Sequence, residues 1–185
     1  MILSIELAKD FDEVESFVCG VDALDFGKSL WRDYSIHYFA VFYFVRNSEN
    51  GDVVAVFALQ NDLLNLDSDD KSDMKSGFIP APEIKTENFW EEFNNRSYFP
   101  AVELSLLVIS KKYQRIGIGK TLVNAIFKML KQEPSSGCMF VTVEALAGKN
   151  YSTLGFYSKL GFTNCFPVPR NGIMRMFAPL YPKVA

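Results

Sequence analysis

The sequence predicts a mixed α/β fold, and three observations predict it. Strand-patterned and helix-patterned runs alternate along the chain. One nearly continuous apolar run, Ala101 to Ile109, reads as a strand at the centre of a sheet covered on both faces. Tyr113-Gln-Arg-Ile-Gly-Ile-Gly-Lys120 then separates that run from a helix-patterned run, Thr121 to Gln132, so strand, glycine turn and helix follow one another. At 185 residues, 49% hydrophobic and with 17 Phe, the chain is long enough for one domain with a real core and is not of disordered composition.

Taken in order, Ile2 to Leu7 alternates as a first strand. Asp10 is placed to cap a short helix over Phe11 to Val18. Cys19-Gly20-Val21-Asp22 is a turn, and Asp22 reads as the cap of a second helix through about Tyr34. Tyr38 to Arg46 and Val53 to Gln60 are strands on either side of a polar Asn-Gly turn, which predicts an antiparallel hairpin. Residues 61–99 are the least regular, an insertion with an acidic, solvated loop at Asp67 to Asp73 and a helix over about Asn88 to Asn94 capped by Thr86. The helix after the glycine turn stops near Pro134-Ser-Ser-Gly137. Cys138 to Val143 is a buried strand, Asn150 to Leu160 a helix stopped by Gly161, and Phe162 to Phe166 and Ile173 to Pro179 the last strands. No linker divides the chain, so residues 1–185 read as a single domain.

Net charge is −3 but unevenly spread. Residues 1–60 carry 4 basic and 10 acidic side chains (−6), residues 61–97 carry 4 and 9 (−5), and residues 98–185 carry 11 and 3 (+8). The basic portion suits a polyanionic ligand such as a nucleotide cofactor, and the acidic remainder argues against a general nucleic-acid surface. Three widely spaced cysteines, Cys19, Cys138 and Cys165, make neither a disulfide framework nor a zinc site and point to buried thiols in a reducing cytoplasm. No run approaches 18 apolar residues, so no membrane span is expected. The N-terminus lacks the basic and apolar regions of a signal peptide.

The glycine turn carries the chemistry. Backbone N–H groups at a helix start are unpaired and carry partial positive charge, which makes an anion site. Gly117 and Gly119 remove side chains that would hold a phosphate away. Gln114-x-x-Gly117-x-Gly119 after an apolar strand, followed by Phe156-Tyr157-Ser158-Lys159-Leu160-Gly161-Phe162, resembles the acetyl-CoA loop and second motif of the GNAT superfamily of N-acetyltransferases. The resemblance covers most of residues 1–180 and leaves 61–99 unmatched. It implies a GNAT-like fold, with a mixed, mostly antiparallel central sheet of about six or seven strands flanked by about four helices.

The resemblance also implies site residues. Acetyl-CoA (coenzyme A) would lay its pantetheine on the backbone of Leu107, Val108 and Ile109 and its pyrophosphate on the amides of Gln114, Arg115, Ile116, Gly117, Ile118, Gly119 and Lys120. Arg115 and Lys120 can add charge. Asn150, seven residues before Tyr157, would contact the cofactor. Tyr157 would protonate the leaving thiolate. Glu103, a carboxylate in an apolar strand, is the candidate base, with a structural ion pair as the alternative. Glu144 and a water chain are the other routes for the amine's proton. The single His37 lies in an aromatic segment and reads as structural, and no metal is expected.

A second similarity concerns Phe17-x-Cys19-Gly20-Val21-x-x-Leu24-Asp25 and Val54-Ala-Val-Phe-Ala-Leu59, which resemble the toxin branch of the superfamily. That branch acetylates aminoacyl-tRNA and is paired with an antitoxin. The residues leave three functions open: an N-acetyltransferase for a primary amine of a small molecule or protein, a toxin-like enzyme with tRNA and antitoxin as partners, and a non-catalytic acyl-CoA-binding module. A homodimer is compatible with each.

Overall fold

Among the described residues, seven strands carry the architecture: β1 (Leu3–Leu7), β2 (Val41–Asn47), β3 (Val53–Asn65), β4 (Tyr98–Ile109), β5 (Phe140–Leu146), β6 (Thr163–Asn164) and β7 (Ile173–Pro179). In the computed structural model they form one sheet in the order β1-β2-β3-β4-β5-β7-β6. β1 with β2, β2 with β3, β5 with β7 and β6 with β7 pair antiparallel, and β4 with β5 pairs parallel. The structure describes residues 1–132 and 137–182, apart from the side chains of Ala23 and Phe26. The helix stop expected over Pro134 to Ser136 lies outside the described residues. The chain clusters into two compact units, residues 1–60 with 104–125 and residues 61–103 with 126–185.

The first unit holds β1, β2, residues 53–60 of β3 and residues 104–109 of β4. The predicted hairpin is present, from Val41↔Leu59 to Arg46↔Val53, with a bulge at Val45/Arg46. Its Asn-Gly turn closes with the Gly51 N–H on the Asn47 carbonyl at 2.8 Å, Gly51 having φ +77°. Arg46, next to the bulge, donates to Glu6 and, at 2.5 Å, to Glu13. The core packs Phe17, Trp31, Phe42, Phe44, Val56, Ala58 and Val108 together. Burying aromatic and branched side chains at about 25 cal/mol per Å² is the main stabilising term.

Two expected helices in this unit are shorter than their patterns. The Asp10 cap accepts the Asp12 N–H, but only one 3₁₀ turn, Phe11–Val14, follows. The segment from Asp22 breaks into α1 (Asp22–Gly27), a 3₁₀ turn (Lys28–Leu30) and α2 (Trp31–Ile36). Asp22 is not the cap, since Val21 occupies that position and makes no side-chain cap bond. Gly27, a poor helix former, sits at the break.

The second unit holds residues 61–65 of β3 and residues 98–103 of β4 with β5, β6 and β7. β4 pairs with β5 from Ala101↔Phe140 to Glu103↔Thr142, and β5 with β7 from Phe140↔Pro179 to Leu146↔Ile173. The acidic run expected as a loop is a helix, α3 (Ser68–Ser76). Asp67 accepts the N–H groups of Asp69 and Asp70, and the Asp70 carboxyl accepts the Asp67 N–H, a capping box. Acidic residues there also meet the positive end of the helix. Thr86 caps α4 (Glu87–Asn95) through the Phe89 N–H, as expected. Leu64, Leu66, Met74, Ala81 and Phe93 from residues 61–99 pack with Phe99, Ala101, Phe140 and Phe177 in one apolar cluster.

The last two helices are α5 (Ile118–Gln132) and α6 (Leu154–Ser158). The helix expected to begin at Asn150 begins at Leu154. Thr153 turns its hydroxyl back to accept the Leu146 N–H at 2.9 Å, and Ala147 bridges Ser152, so the chain before Leu154 is tied to the end of β5. No helix among the described residues is long and apolar enough to cross a membrane.

Candidate active site

In the first unit the sequence from β4 to α5 folds as strand, turn, helix. After β4 a 3₁₀ turn, Lys111–Tyr113, leads into Gln114. Arg115 (φ +65°) and Gly117 (φ +88°) adopt left-handed backbone, which is what turns the chain into α5. Nothing lies within 4 Å of the position a Gly117 Cβ would take. The Thr121 N–H reaches back to the Gly117 carbonyl at 3.2 Å, so the amides of Ile118, Gly119 and Lys120 come before the first such bond of α5. Ile118 is buried and anchors the turn, while Arg115, Ile116, Gly117 and Lys120 are exposed. Free amides, a helix start and two cationic side chains form a cradle that fits a pyrophosphate.

The Gln114 side chain does different work. Its Nε2 donates to the Cys19 carbonyl at 2.6 Å and the Ile109 carbonyl at 2.8 Å. The Lys111 N–H donates to the Val18 carbonyl at 2.8 Å. Asp25, not Asp22, organises the turn on the other side of this contact, accepting the Cys19 N–H at 2.8 Å and the Gly20 N–H at 2.9 Å. Gly20 has φ +79°, which favours glycine there. Farther along, Tyr113 and Lys112 both donate to Asp52 Oδ2, at 2.5 and 2.7 Å. Those two hydrogen bonds outweigh desolvation and hold the Asp52 carboxyl below its ordinary value. The glycine turn is thus fastened on both flanks. Leu107 and Ile109 are half-buried and the Val108 side chain is in the core.

In the second unit Tyr157 lies on α6, its ring buried and in contact with Phe156 and Phe162 at centroid distances of 5.0 and 5.4 Å. The helix ends at Ser158, two residues short of the expected Leu160, with Lys159 as its cap, and Gly161 (φ +87°) turns the chain after it, the Phe162 N–H resting on the Tyr157 carbonyl at 3.2 Å. Burial, with a smaller contribution from Tyr151, pushes the Tyr157 hydroxyl well above the usual tyrosine value. No side-chain oxygen or nitrogen among the described residues is both sealed from solvent and without a partner. Asn150 is exposed in the turn between Ala147 and Ser152 rather than on a helix.

Glu103 is 9% exposed, next to Thr142 in the β4–β5 ladder. Sequence reasoning missed its surroundings. Arg175 Nη2 donates to Asp62 Oδ2 at 2.6 Å and to the Leu63 carbonyl at 3.1 Å, and the Thr142 hydroxyl donates to the same Asp62 oxygen. Burial raises the proton affinity of Asp62, but the Arg175 and Thr142 hydrogen bonds and the Leu63 amide outweigh it, and the net shift is downward. Asp62 and Arg175 are 113 residues apart, and no local spacing links them. Glu144, the other base candidate, is exposed and stands opposite Arg175 in the β5–β7 ladder. His37 caps α2, its Nδ1 2.8 Å from the Asp33 carbonyl oxygen.

Comparison with known proteins gives a family and a fold. The model of the acetyltransferase (GNAT) family matches residues 20–162, well over half of the chain. No curated protein matches. Among solved structures, a tyrosine-to-phenylalanine mutant of KacT is 18% identical, with 96% of this chain and 95% of that one covered and a TM-score of 0.67. AtaT complexed with acetyl-methionyl-tRNAfMet is 19% identical, covering 96% and 95%, with a TM-score of 0.62. A mutant AtaT toxin bound to the C-terminus of the antitoxin AtaR and acetyl-CoA is 20% identical, covering 96% and 93%, also at 0.62. At these identities the likeness is one of fold.

Proposed function

Because the chain belongs to the acetyltransferase (GNAT) family and is an acetyl-CoA-dependent N-acetyltransferase, we propose that its acceptor is the α-amino group of an aminoacyl-tRNA and that an antitoxin restrains it. One observation carries this. The residues of the toxin-branch similarity, Cys19, Gly20 and Asp25, form the clasp that Gln114 fastens to the glycine turn. Fold likeness over 96% of the chain to AtaT, captured with acetyl-methionyl-tRNAfMet, supports the same acceptor. The +8 charge of residues 98–185 suits an RNA end. The family match at residues 20–162 draws on both units, which supports one acetyltransferase domain.

In this proposal the amides of Ile116 to Lys120, with Arg115 and Lys120, hold the coenzyme phosphates, and the backbone of Leu107 to Ile109 guides the pantetheine. Asn150 contacts the coenzyme. The acceptor ammonium loses a proton to Glu103, and its nitrogen attacks the thioester carbonyl carbon. The C–N bond forms, the C–S bond breaks, and Tyr157 protonates the departing sulfur. The nitrogen's surplus proton passes to Tyr157 and restores it, and the proton on Glu103 is released to solvent. Its buried ring keeps Tyr157 protonated at neutral pH, ready to donate.

A small-molecule or protein amine is the second acceptor class. The exposed carboxylates of Asp67, Asp69 and Asp73 around α3 favour it, because they attract cations and repel phosphates. Expression in a bacterial host separates the two. Wild-type protein arrests growth and Tyr157→Phe does not if charged tRNA is the acceptor. Harmless wild-type expression of soluble protein that acetyl-CoA stabilises in a thermal shift contradicts the tRNA proposal and leaves the other class.

A further inference from the structure

Across the second unit, four polar side chains from four strands form a staggered row on one face of the sheet: Asp62 on β3, Glu103 on β4, Thr142 on β5 and, one ladder pair farther along opposite Glu144, Arg175 on β7. The face is fixed by the ladders. Ala101, Phe140 and Phe177, each two residues from a member of the row, all belong to the apolar cluster under α3 and α4. The row is therefore a polar strip beside a dry core. Its members are mostly covered: Glu103 is 9% exposed, and the side chains of Asp62 and Arg175 are 14% and 27% exposed.

The hydrogen bonds divide the row unevenly. Asp62 Oδ2 accepts both Arg175 Nη2 and the Thr142 hydroxyl, and Asp62 Oδ1 accepts the Leu63 N–H at 2.8 Å. Both oxygens are thus committed to fixed donors. Arg175 is fixed in turn by Asp62 and the Leu63 carbonyl. Burial lowers the proton affinity of Arg175, but the Asp62 hydrogen bond and charge, with further contributions from Cys165 and Glu103, outweigh it. The guanidinium is therefore charged and within electrostatic reach of Glu103. Asp62 is bound from three sides and serves as the anchor of Arg175.

We propose that Arg175 is a positioning residue for Glu103: anchored by Asp62, it holds its guanidinium charge beside the Glu103 carboxylate and fixes that carboxylate as acceptor of the amine's proton. This rests on Glu103 as the base in the proposed function. The other ionisable groups that bear on the strip are Glu144 on β5, Cys165 after β6 and Asp70 on α3. Glu144 is exposed opposite Arg175, and Asp70 and Asp62 act on Cys165.

The test needs a readout that loss of folding alone would not move. The full chain, carrying ¹³C-labelled glutamate, is titrated by carboxyl NMR as wild type, Arg175→Lys and Arg175→Met, with circular dichroism confirming the fold. Removing the cation leaves Glu103 facing the Asp62 charge, so its titration moves to higher pH in Arg175→Met, by about one pH unit or more, and by less in Arg175→Lys. Equal midpoints in wild type and Arg175→Met overturn the proposal. If Arg175→Met does not fold, Arg175→Lys decides, and a midpoint equal to wild type overturns it. The pH profile of kcat/KM with acetyl-CoA and methionyl-tRNA gives the second arm. Its acid limb disappears in Glu103→Gln and moves to higher pH in the Arg175 variant. An acid limb that survives Glu103→Gln removes Glu103 as base. A limb lost in Glu103→Gln but unmoved in the Arg175 variant sinks the role of Arg175 alone.

Discussion

Replacing Tyr157 with Phe removes one oxygen and leaves the ring. Phe156 and Phe162 hold that ring at 5.0 and 5.4 Å between centroids, and neither contact involves the hydroxyl. The packing survives, and the stability change stays below about 1 kcal/mol, the scale of one hydrogen bond. Loss of a general acid costs on the order of 10²–10⁴ in rate. At 1.36 kcal/mol per tenfold, that is about 3–5 kcal/mol of lost transition-state stabilisation. The variant therefore separates activity from stability by a wide margin. The assay is single-turnover transfer of labelled acetyl to methionyl-tRNA, with thermal melts of both proteins and the acetyl-CoA Kd measured in parallel. Burial holds the proton on Tyr157 above the ordinary tyrosine value of 10.0, so the wild-type rate shows no decline from this group between pH 7 and 9. The folded state keeps the proton more tightly than the unfolded chain, so this tyrosine costs stability only as pH rises past 10.0. Transfer within about threefold of wild type, or a rate loss matched by a melt lowered by several kcal/mol, would refute the reasoning behind Tyr157 as the acid.

Other perturbations have equally definite outcomes. Gly117→Ala places a side chain at φ +88° and costs about 1 kcal/mol in a denaturant melt, while weakening acetyl-CoA binding at least about tenfold by calorimetry because the strained turn shifts the amides that face the phosphates. Gln114→Ala removes both clasp bonds and leaves the Cys19 and Ile109 carbonyls short of a donor, lowering stability by about 1–3 kcal/mol. Phe93→Ala empties a site 1% exposed in the apolar cluster and costs about 3–5 kcal/mol, and a loss below about 1 kcal/mol would detach α4 from the core. Asp62→Asn breaks a largely covered ion pair and destabilises at pH 7 by about 2–3 kcal/mol. Because folding lowers the proton affinity of Asp62, its contribution is full above the ordinary carboxylate value of 3.8 and is lost as pH falls below it. The melts of wild type and Asp62→Asn therefore converge in acid.

Local signals were legible in the sequence. The turn from Gln114 to Lys120 could be placed because strand, glycine and helix are contiguous and Gly117 does what a left-handed position requires. β7 is legible to the residue, since Ile173 to Pro179 is apolar but for Arg175 and follows a Pro-Arg-Asn-Gly turn. Acidic composition misled at Asp67 to Asp73. A capping box turns the same carboxylates into helix starters, and Met74 gives the helix a buried contact. Asp22 looked like a cap because it precedes a helical pattern, yet the folded chain uses Asp25 to hold two amides behind it. The pattern from Asn150 lost its first turn to Thr153, whose hydroxyl is held at Leu146. The strip of Asp62, Thr142 and Arg175 was out of reach, because its members come from three strands far apart in the chain and meet only through the sheet.

The proposed acceptor of this acetyltransferase is the amino acid of a charged tRNA. Incubating the purified chain with [¹⁴C]acetyl-CoA and methionyl-tRNA, with free methionine, polyamines and peptides as parallel acceptors, tests it most directly. Label in acetyl-methionyl-tRNA, formed faster than any other product and absent with deacylated tRNA, is the predicted result. Label transferred to a small amine or peptide while methionyl-tRNA stays unlabelled contradicts it.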